Sequence, residues 1–203
     1  MRDAPRARQA AGSRPVIRLA TSADAEGILA IYRPIVRDTV ISFELEAPGA
    51  AEIARRVEGT LAKYPWLVHE DREGVAGYAY ASEHRERLAY QWSVDVSCYV
   101  HERARRRGIG KSLYEALKRV LRAQGFCNAF AGIALPNAAS VALHQAVGFA
   151  ALGEYRNVGF KLGAWRDSVW MQCALGELPA NPLPPARLPE LSRETVEAAL
   201  SSP

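Results

Sequence analysis

No stretch of this chain approaches the roughly 20 consecutive apolar residues that a membrane-crossing helix needs, and Met1 to Pro15 holds no apolar segment of the kind a secretory leader carries. These two absences predict a soluble, cytoplasmic protein with no membrane partner. Cysteine is scarce. Cys98, Cys127 and Cys173 are an odd set without a C-x-x-C pair, which argues against a disulfide framework and predicts reduced, buried thiols. The four histidines, His69, His84, His101 and His144, show no ligand spacing, so no metal is expected. Charge of one sign is missing from the body of the chain. Of 26 Lys and Arg, five fall in residues 1–18, and of 22 Asp and Glu only Asp3 does, which leaves 21 of each in the remainder. The formal net charge of +4 therefore belongs to the start of the chain, and a nucleic-acid partner is not expected. There is no internal repeat.

What is present is globular: 203 residues, 49% hydrophobic and 24% charged, enough for one domain with a full core and tails. Residues 1–15 read as a disordered basic tail. Val16 to Leu19 starts the fold as a strand. Thr21 and Asp24 then cap a helix with Ile28, Ile31, Tyr32 and Ile35 on one face, which Pro34 should kink or end. Val40 to Phe43 reads as β-like, and Pro48 opens a second helix. Trp66 to Val68 and Val75 to Ala81 form a hairpin across Asp71 to Gly74. Ser82 to Leu88 is a polar loop, and Ala89 to Val100 a long strand. A helix runs from Gly108 to about Gln124, with Gly125 as its stop. A strand from Cys127 to Leu135 follows, then a helix opened by Pro136 and Asn137. The last strands are Phe149 to Tyr155 and Ser168 to Leu175, with Asn157 to Arg166 as a loop between them. Beyond Gly176 five prolines from Pro179 to Pro189 predict an extended segment that packs loosely or on a partner subunit, ending in a short helix capped by Ser192. The order of elements argues for a mixed α/β single domain.

One segment carries chemistry on its face. After the strand that ends at Val100 comes Arg103, Arg105, Arg106 and Arg107, then Gly108-Ile109-Gly110-Lys111-Ser112 opening a helix. A glycine turn at a helix N-terminus presents free N–H groups with the helix dipole behind them, which suits phosphate. A Walker A loop would need glycine where Arg105 stands, and a dinucleotide fingerprint would need it at Leu113, so both fail by one residue. A solvated basic turn or a nucleic-acid patch remains open on these residues alone.

Together with other stretches, this loop has a resemblance. Arg105-x-x-Gly108-x-Gly110 resembles the coenzyme A pyrophosphate loop of the GNAT acetyltransferases. Tyr64 to Val68, Ala89 to Ser93, Leu135 to Val141 followed by His144 and Gly148-Phe149, Val158 to Asp167, and Trp170 to Gln172 resemble the phosphinothricin and methionine sulfoximine acetyltransferases within that superfamily. The resemblance covers about residues 16–175, leaving 176–203 as a proline-rich tail. It implies the GNAT acyl-CoA N-acyltransferase fold, a central, mostly antiparallel, splayed sheet flanked by helices. It implies an acetyl-CoA-dependent N-acetyltransferase that acts on a small amino-acid-like acid, and a homodimer.

By the same resemblance, Cys98, Tyr99 and Val100 on the splayed strand meet the pantetheine arm. Arg105, Arg106, Arg107, Gly108, Ile109, Gly110, Lys111 and Ser112 take the pyrophosphate, and Asn137 with Ser140 holds the cofactor further along. Arg85 and Arg87 meet the acceptor's acidic groups, in keeping with the way guanidinium forks bind carboxylate and phosphinate. Phe43, Tyr90 and Ser97 wall the acceptor pocket. Asp95 occupies the position of the general base, where the family carries Glu, and so falls one methylene short. His144 stands where many GNAT enzymes place a tyrosine acid. Leu162, Ala164 and Arg166 depart from the relatives' His, Asn and His, which points to a changed acceptor. Two other functions fit the sequence: a GNAT enzyme for protein or peptide amines, and a non-catalytic acetyl-CoA-binding module.

Overall fold

The computed structural model describes residues 16–201, so the basic tail 1–15 lies outside the described residues. The strands are β1 (Val16–Leu19), β2 (Trp66–Asp71), β3 (Gly74–Glu83), β4 (Ser93–Val100), β5 (Asn128–Ala134), β6 (Ala150–Lys161) and β7 (Ala164–Ala174). The helices are α1 (Ala25–Asp38), α2 (Ala50–Leu61), α3 (Ile109–Gln124), α4 (Ala138–Ala146) and α5 (Arg193–Ser201). The strands form one sheet in the order β1-β2-β3-β4-β5-β7-β6, antiparallel at every pairing except β4 with β5, which is parallel. The protein is thus of the mixed α/β class.

Side-chain alternation along the strands builds two cores. On one face Leu67, Ala79, Val94 and Val96 pack with Leu113, Leu117 and Leu121 of α3. On the other, Val68, Tyr78 and Trp66 pack with Ile28, Leu29 and Tyr32 of α1 and with Ile53 and Val57 of α2. Each such buried aliphatic side chain contributes roughly 1.5–3 kcal/mol. The feature that matters most for function is a short pairing. β4 and β5 are in register only at Ser93–Asn128, Val94–Ala129 and Asp95–Phe130, and beyond that pair the two strands diverge. A cleft opens there, lined by Val96 to Tyr99 on one side and Ala131 to Ala134 on the other.

Several expectations change. α1 runs four residues past Pro34, because Ile35 and Val36 on its far turn are buried and hold it to the core. Val40 to Phe43 is not a strand but irregular chain, in which buried Ser42 bonds the Tyr32 hydroxyl at 2.7 Å and its carbonyl accepts from Lys161 Nζ at 2.6 Å. Helix α2 begins at Ala50 rather than at Pro48, with Gly49 as its N-cap. The first part of the long strand from Ala89 is instead a 3-10 turn, Leu88–Tyr90, and β4 starts at Ser93.

The loop expected from Asn157 to Arg166 is the tip of a long hairpin, closed by Leu162 and Gly163 with φ of 51° and 73°. Two consecutive positive φ values make a primed turn, and leucine in that role gives no sequence signal. The C-terminal segment does not pack loosely. Leu188 and Ala199 are buried against Val120 of α3, and Leu188 N–H donates to the Lys63 carbonyl at 3.1 Å.

Candidate active site

The anion loop forms as the glycines dictate. Gly108 caps α3 with φ of 79°, a conformation that glycine adopts without steric cost. Arg106 before it also has positive φ, 60°. The first helical bond is Ser112 N–H to the Gly108 carbonyl at 3.0 Å, so the amides of Ile109, Gly110 and Lys111 have no acceptor within the helix. Arg105, Arg106, Arg107, Lys111 and Ser112 are exposed around them. Gly110 serves a second purpose. A Cβ there would sit 2.9 Å from Leu143 Cδ2, so its absence lets α4 close against α3.

Sequence reasoning missed what holds this loop. Asp71, at the end of β2, takes Arg103 in a two-pronged pair, Nη1 to Oδ2 at 2.7 Å and Nη2 to Oδ1 at 3.0 Å, with Arg107 Nη1 4.0 Å away. The Arg103 guanidinium holds the Asp71 carboxyl down at about 2. No local pattern advertises a pair 32 residues apart in the chain.

The cleft between β4 and β5 is lined by Ser97, Cys98 and Tyr99, by Asn137 and Ser140 of the turn into α4, and by Tyr114 and His144. Burial pushes the thiol of the half-buried Cys98 up to about 12, so it is an inert wall and not a nucleophile. Asn137 Oδ1 accepts from Ser140 N–H at 3.2 Å and caps α4.

His144 is buried with both ring nitrogens engaged. Nδ1 lies 2.7 Å from the Ser140 carbonyl, which accepts only, so Nδ1 carries the proton. In the neutral imidazole Nε2 is then an acceptor, and the Tyr114 hydroxyl, 2.7 Å away, donates to it. Burial lowers the His144 pKa and raises that of Tyr114, so both favour their neutral forms. Tyr114 did not emerge from the sequence because it reads as one more apolar position of α3.

Next to the last β4–β5 pair, which His84 touches at Asp95 and Phe130, the segment after β3 builds a cavity of about 580 Å³ lined by Glu83, His84, Arg85, Glu86, Arg87 and Tyr90. Arg85, Arg87 and Tyr90 thus come together. Phe43 does not join them; its ring packs over Gly159 of β6, where an added Cβ would lie 2.7 Å from it. Asp95 sits on the last β4–β5 pair before the split, and its Oδ1 is 2.6 Å from His84 Nδ1. Burial raises the Asp95 pKa, against the hydrogen bond and charge of His84 and the charge of Arg85. Among the described residues no group of three or more His, Cys, Asp or Glu is arranged to hold a metal, and no helix is long and apolar enough to cross a membrane.

An amide-lined loop on a helix N-terminus, a split sheet beside it and a cavity with paired arginines beyond suit joining a phosphate-bearing carrier to a small acid. The comparisons with known proteins agree. The family model for the acetyltransferase (GNAT) domain matches residues 17–170. A phosphinothricin N-acetyltransferase of Streptomyces viridochromogenes is 41% identical over 172 residues, covering 84% of this chain and 93% of the relative. An L-methionine sulfoximine/L-methionine sulfone acetyltransferase of Pseudomonas aeruginosa is 39% identical over 164 residues, covering 78% of this chain and 94% of the relative. Among solved structures, a GNAT superfamily phosphinothricin acetyltransferase from Sinorhizobium meliloti, in complex with AcCoA, superposes with a TM-score of 0.79. It shares 40% sequence identity and covers 83% of this chain and 93% of its own.

Proposed function

This chain belongs to the GNAT acetyltransferase family and is an acetyl-CoA-dependent N-acetyltransferase, and we propose that its acceptor is a small amino-acid-like acid of the phosphinothricin, methionine sulfoximine or methionine sulfone type. The observation that carries the acceptor class is the cavity that gathers Arg85, Arg87 and Tyr90 beside the Asp95 end of the cleft. Two guanidinium forks recognise a carboxylate and a second oxyanion on one small molecule.

In this reading the pyrophosphate of acetyl-CoA rests on the amides of Ile109 to Lys111, with Arg105 to Arg107, Lys111 and Ser112 around it. The pantetheine arm follows β4 along Cys98, Tyr99 and Val100, where the splay leaves that edge without a β5 partner, and Asn137 and Ser140 flank the arm. Ser97 walls the reacting end. The acceptor amine loses its proton at the Asp95 end before attacking the acetyl carbonyl. The departing sulfur gains a proton from the Tyr114–His144 pair. The Tyr114 O–H bond breaks as the S–H bond forms, and the oxygen regains a proton from solvent once the thiol leaves.

The exposed apolar side chains on the β6–β7 hairpin support a homodimer: Leu152, Tyr155 and Phe160 on the edge strand β6 and Trp165 beside them on β7 are each at least half exposed. Three free thiols suit a cytoplasmic location.

The test is thiol release from acetyl-CoA with phosphinothricin, methionine sulfoximine, methionine sulfone, the common amino acids and a peptide mixture. Turnover on the acid analogues is the expected result. Turnover on peptides alone overturns the acceptor class.

A further inference from the structure

Asp95 is a short carboxylate with a partner, and the partner is better placed than the carboxylate. His84 is the first residue after β3, and its ring stacks on Phe130 with centroids 4.2 Å apart and planes 13° from parallel. Tyr90 and Trp170 meet the same imidazole edge-on at 6.0 and 6.3 Å. Phe130 is also the β5 residue opposite Asp95 in the last pair before the strands part. The stack therefore fixes the imidazole at the apex of the split, in the wall of the acceptor cavity. His84 lines that cavity, whereas Asp95 lines neither the cavity nor the cleft.

The hydrogen bond settles the tautomer. An ionised Asp95 only accepts, so the 2.6 Å contact puts the proton on His84 Nδ1 and leaves the lone pair on Nε2. Nε2 has no hydrogen-bond partner among the described residues, and it is not one of the buried polar atoms without a partner. It is open to the cavity. The charged and titratable groups around it are Asp95 across the sheet, Tyr90 on the 3-10 turn, and Glu83, Arg85, Glu86 and Arg87 on its own segment.

We propose that His84 is a catalytic residue of this enzyme: its Nε2 takes the proton from the acceptor ammonium, and Asp95 holds the tautomer and stabilises the imidazolium. The step balances simply. One N–H bond of the ammonium breaks, one N–H bond forms at Nε2, the amine keeps the electron pair for attack, and the proton then leaves to solvent. The arrangement accounts for the missing methylene of Asp95, because the imidazole spans the distance the shorter side chain cannot. The proposal rests on the reading that an amine is acetylated at this cavity.

Two substitutions separate a base from a mere prop. His84→Asn keeps an N–H donor where Nδ1 stands but offers no basic nitrogen; His84→Phe keeps the stack on Phe130 and removes both nitrogens. Both variants are expected to lose about 100-fold or more in kcat, to keep the KM for acetyl-CoA, and to lose the acidic limb of the pH–rate profile together. His84→Asn with the wild-type rate and limb overturns the proposal, because His84 then only orients Asp95.

A second measurement does not depend on turnover and so distinguishes failure of the acceptor reading from failure of this one. In the full-length protein labelled with 15N at histidine, the signal lost in His84→Phe identifies the residue. It is expected to show the Nδ1–H tautomer with a downfield proton that Asp95→Asn abolishes. The Nε2–H tautomer overturns the proposal.

Discussion

Of the two ends of the β4–β5 cleft, one is made of backbone and the other of side chains. At the end we propose for phosphate the groups on offer are amides that the turn at Gly108 leaves without helical acceptors, and the glycines at 108 and 110 are there for conformation and close approach. At the end we propose for the acceptor the groups are Arg85, Arg87, Tyr90, His84 and Asp95, brought together by a loop, a 3-10 turn and a strand. A backbone site tolerates drift in the side chains around it but not in its dihedral angles. A side-chain site tolerates backbone adjustment but loses its chemistry with one atom. Substitutions at the two ends should therefore fail in different kinetic constants.

The largest effect belongs to the acceptor end. Asp95→Asn is expected to lower kcat by about 100- to 1000-fold, within the range for removing a general acid–base group or its orienting partner, with the KM for acetyl-CoA unchanged. The fold should not suffer. Burial raises the Asp95 pKa, so its charged form is disfavoured in the folded chain. The stability it contributes is present in acid and lost as pH rises through that raised value. Near neutral pH the Asn variant should melt no lower than the wild type. A lower melting temperature together with a weakened KM for acetyl-CoA would erase the contrast between the two ends.

Next comes acceptor recognition. Replacing Arg85 and Arg87 together with Ala is expected to reduce kcat/KM for the acid acceptor by about 10- to 100-fold, the worth of one or two charge-assisted hydrogen bonds. The KM for acetyl-CoA should not move. A peptide acceptor that is turned over better by this variant than by the wild type would show that the arginines exclude larger partners.

The same contrast explains what could be read from the chain. The turn that opens α3 was legible because its conformation needs glycine at Gly108, and glycine can be seen. Arg85, Arg87 and Tyr90 were legible only through the family resemblance. His84 was invisible because its role depends on Phe130, 46 positions later, and on where β4 and β5 part company. Asp95 was singled out from the sequence, but its hydrogen-bond partner His84 was not. Among the elements, α3 was placed nearly to the residue because its helical spacing and both glycine caps agree. The β6–β7 hairpin was misread because its turn puts Leu162 at positive φ, where composition would predict Asn or Gly.

A smaller effect is expected at the backbone end. In Gly110→Val the new Cβ starts 2.9 Å from Leu143 Cδ2. Overpacking of this kind costs about 1–3 kcal/mol, and it pushes α4 away from the loop. We expect the KM for acetyl-CoA to rise about tenfold with kcat on saturating substrates nearly kept, since residues in direct contact of this kind couple by about 1.4 kcal/mol or more. Leu143→Ala in the same chain should recover part of the loss, because the clash is with the far end of one flexible side chain.

The smallest effect probes the strut beneath that loop. Asp71→Asn replaces the two-pronged ionic partner of Arg103 with a neutral one and leaves Glu73, 3.7 Å away, as its carboxylate. The loop's amides keep their dihedral angles through Gly108, so the KM for acetyl-CoA should rise only about threefold, or roughly 0.7 kcal/mol. Thermal stability gives the cleaner readout. A partly buried charge-assisted pair is worth about 1 kcal/mol, which for a domain of this size is about 2–4 °C in Tm.

The sign with pH follows from the depressed carboxyl. Asp71 is held at about 2 when folded, below the roughly 3.9 of a free aspartate. Its contribution is fully present above that ordinary value and is lost as pH falls toward the folded one. The melting curves of the variant and the wild type should therefore differ most near neutral pH and converge as pH is lowered through this window. A gap that stays constant down to the acid limit would mean that Asp71 supports the loop by shape and not by charge. The phosphate end would then be backbone all the way down.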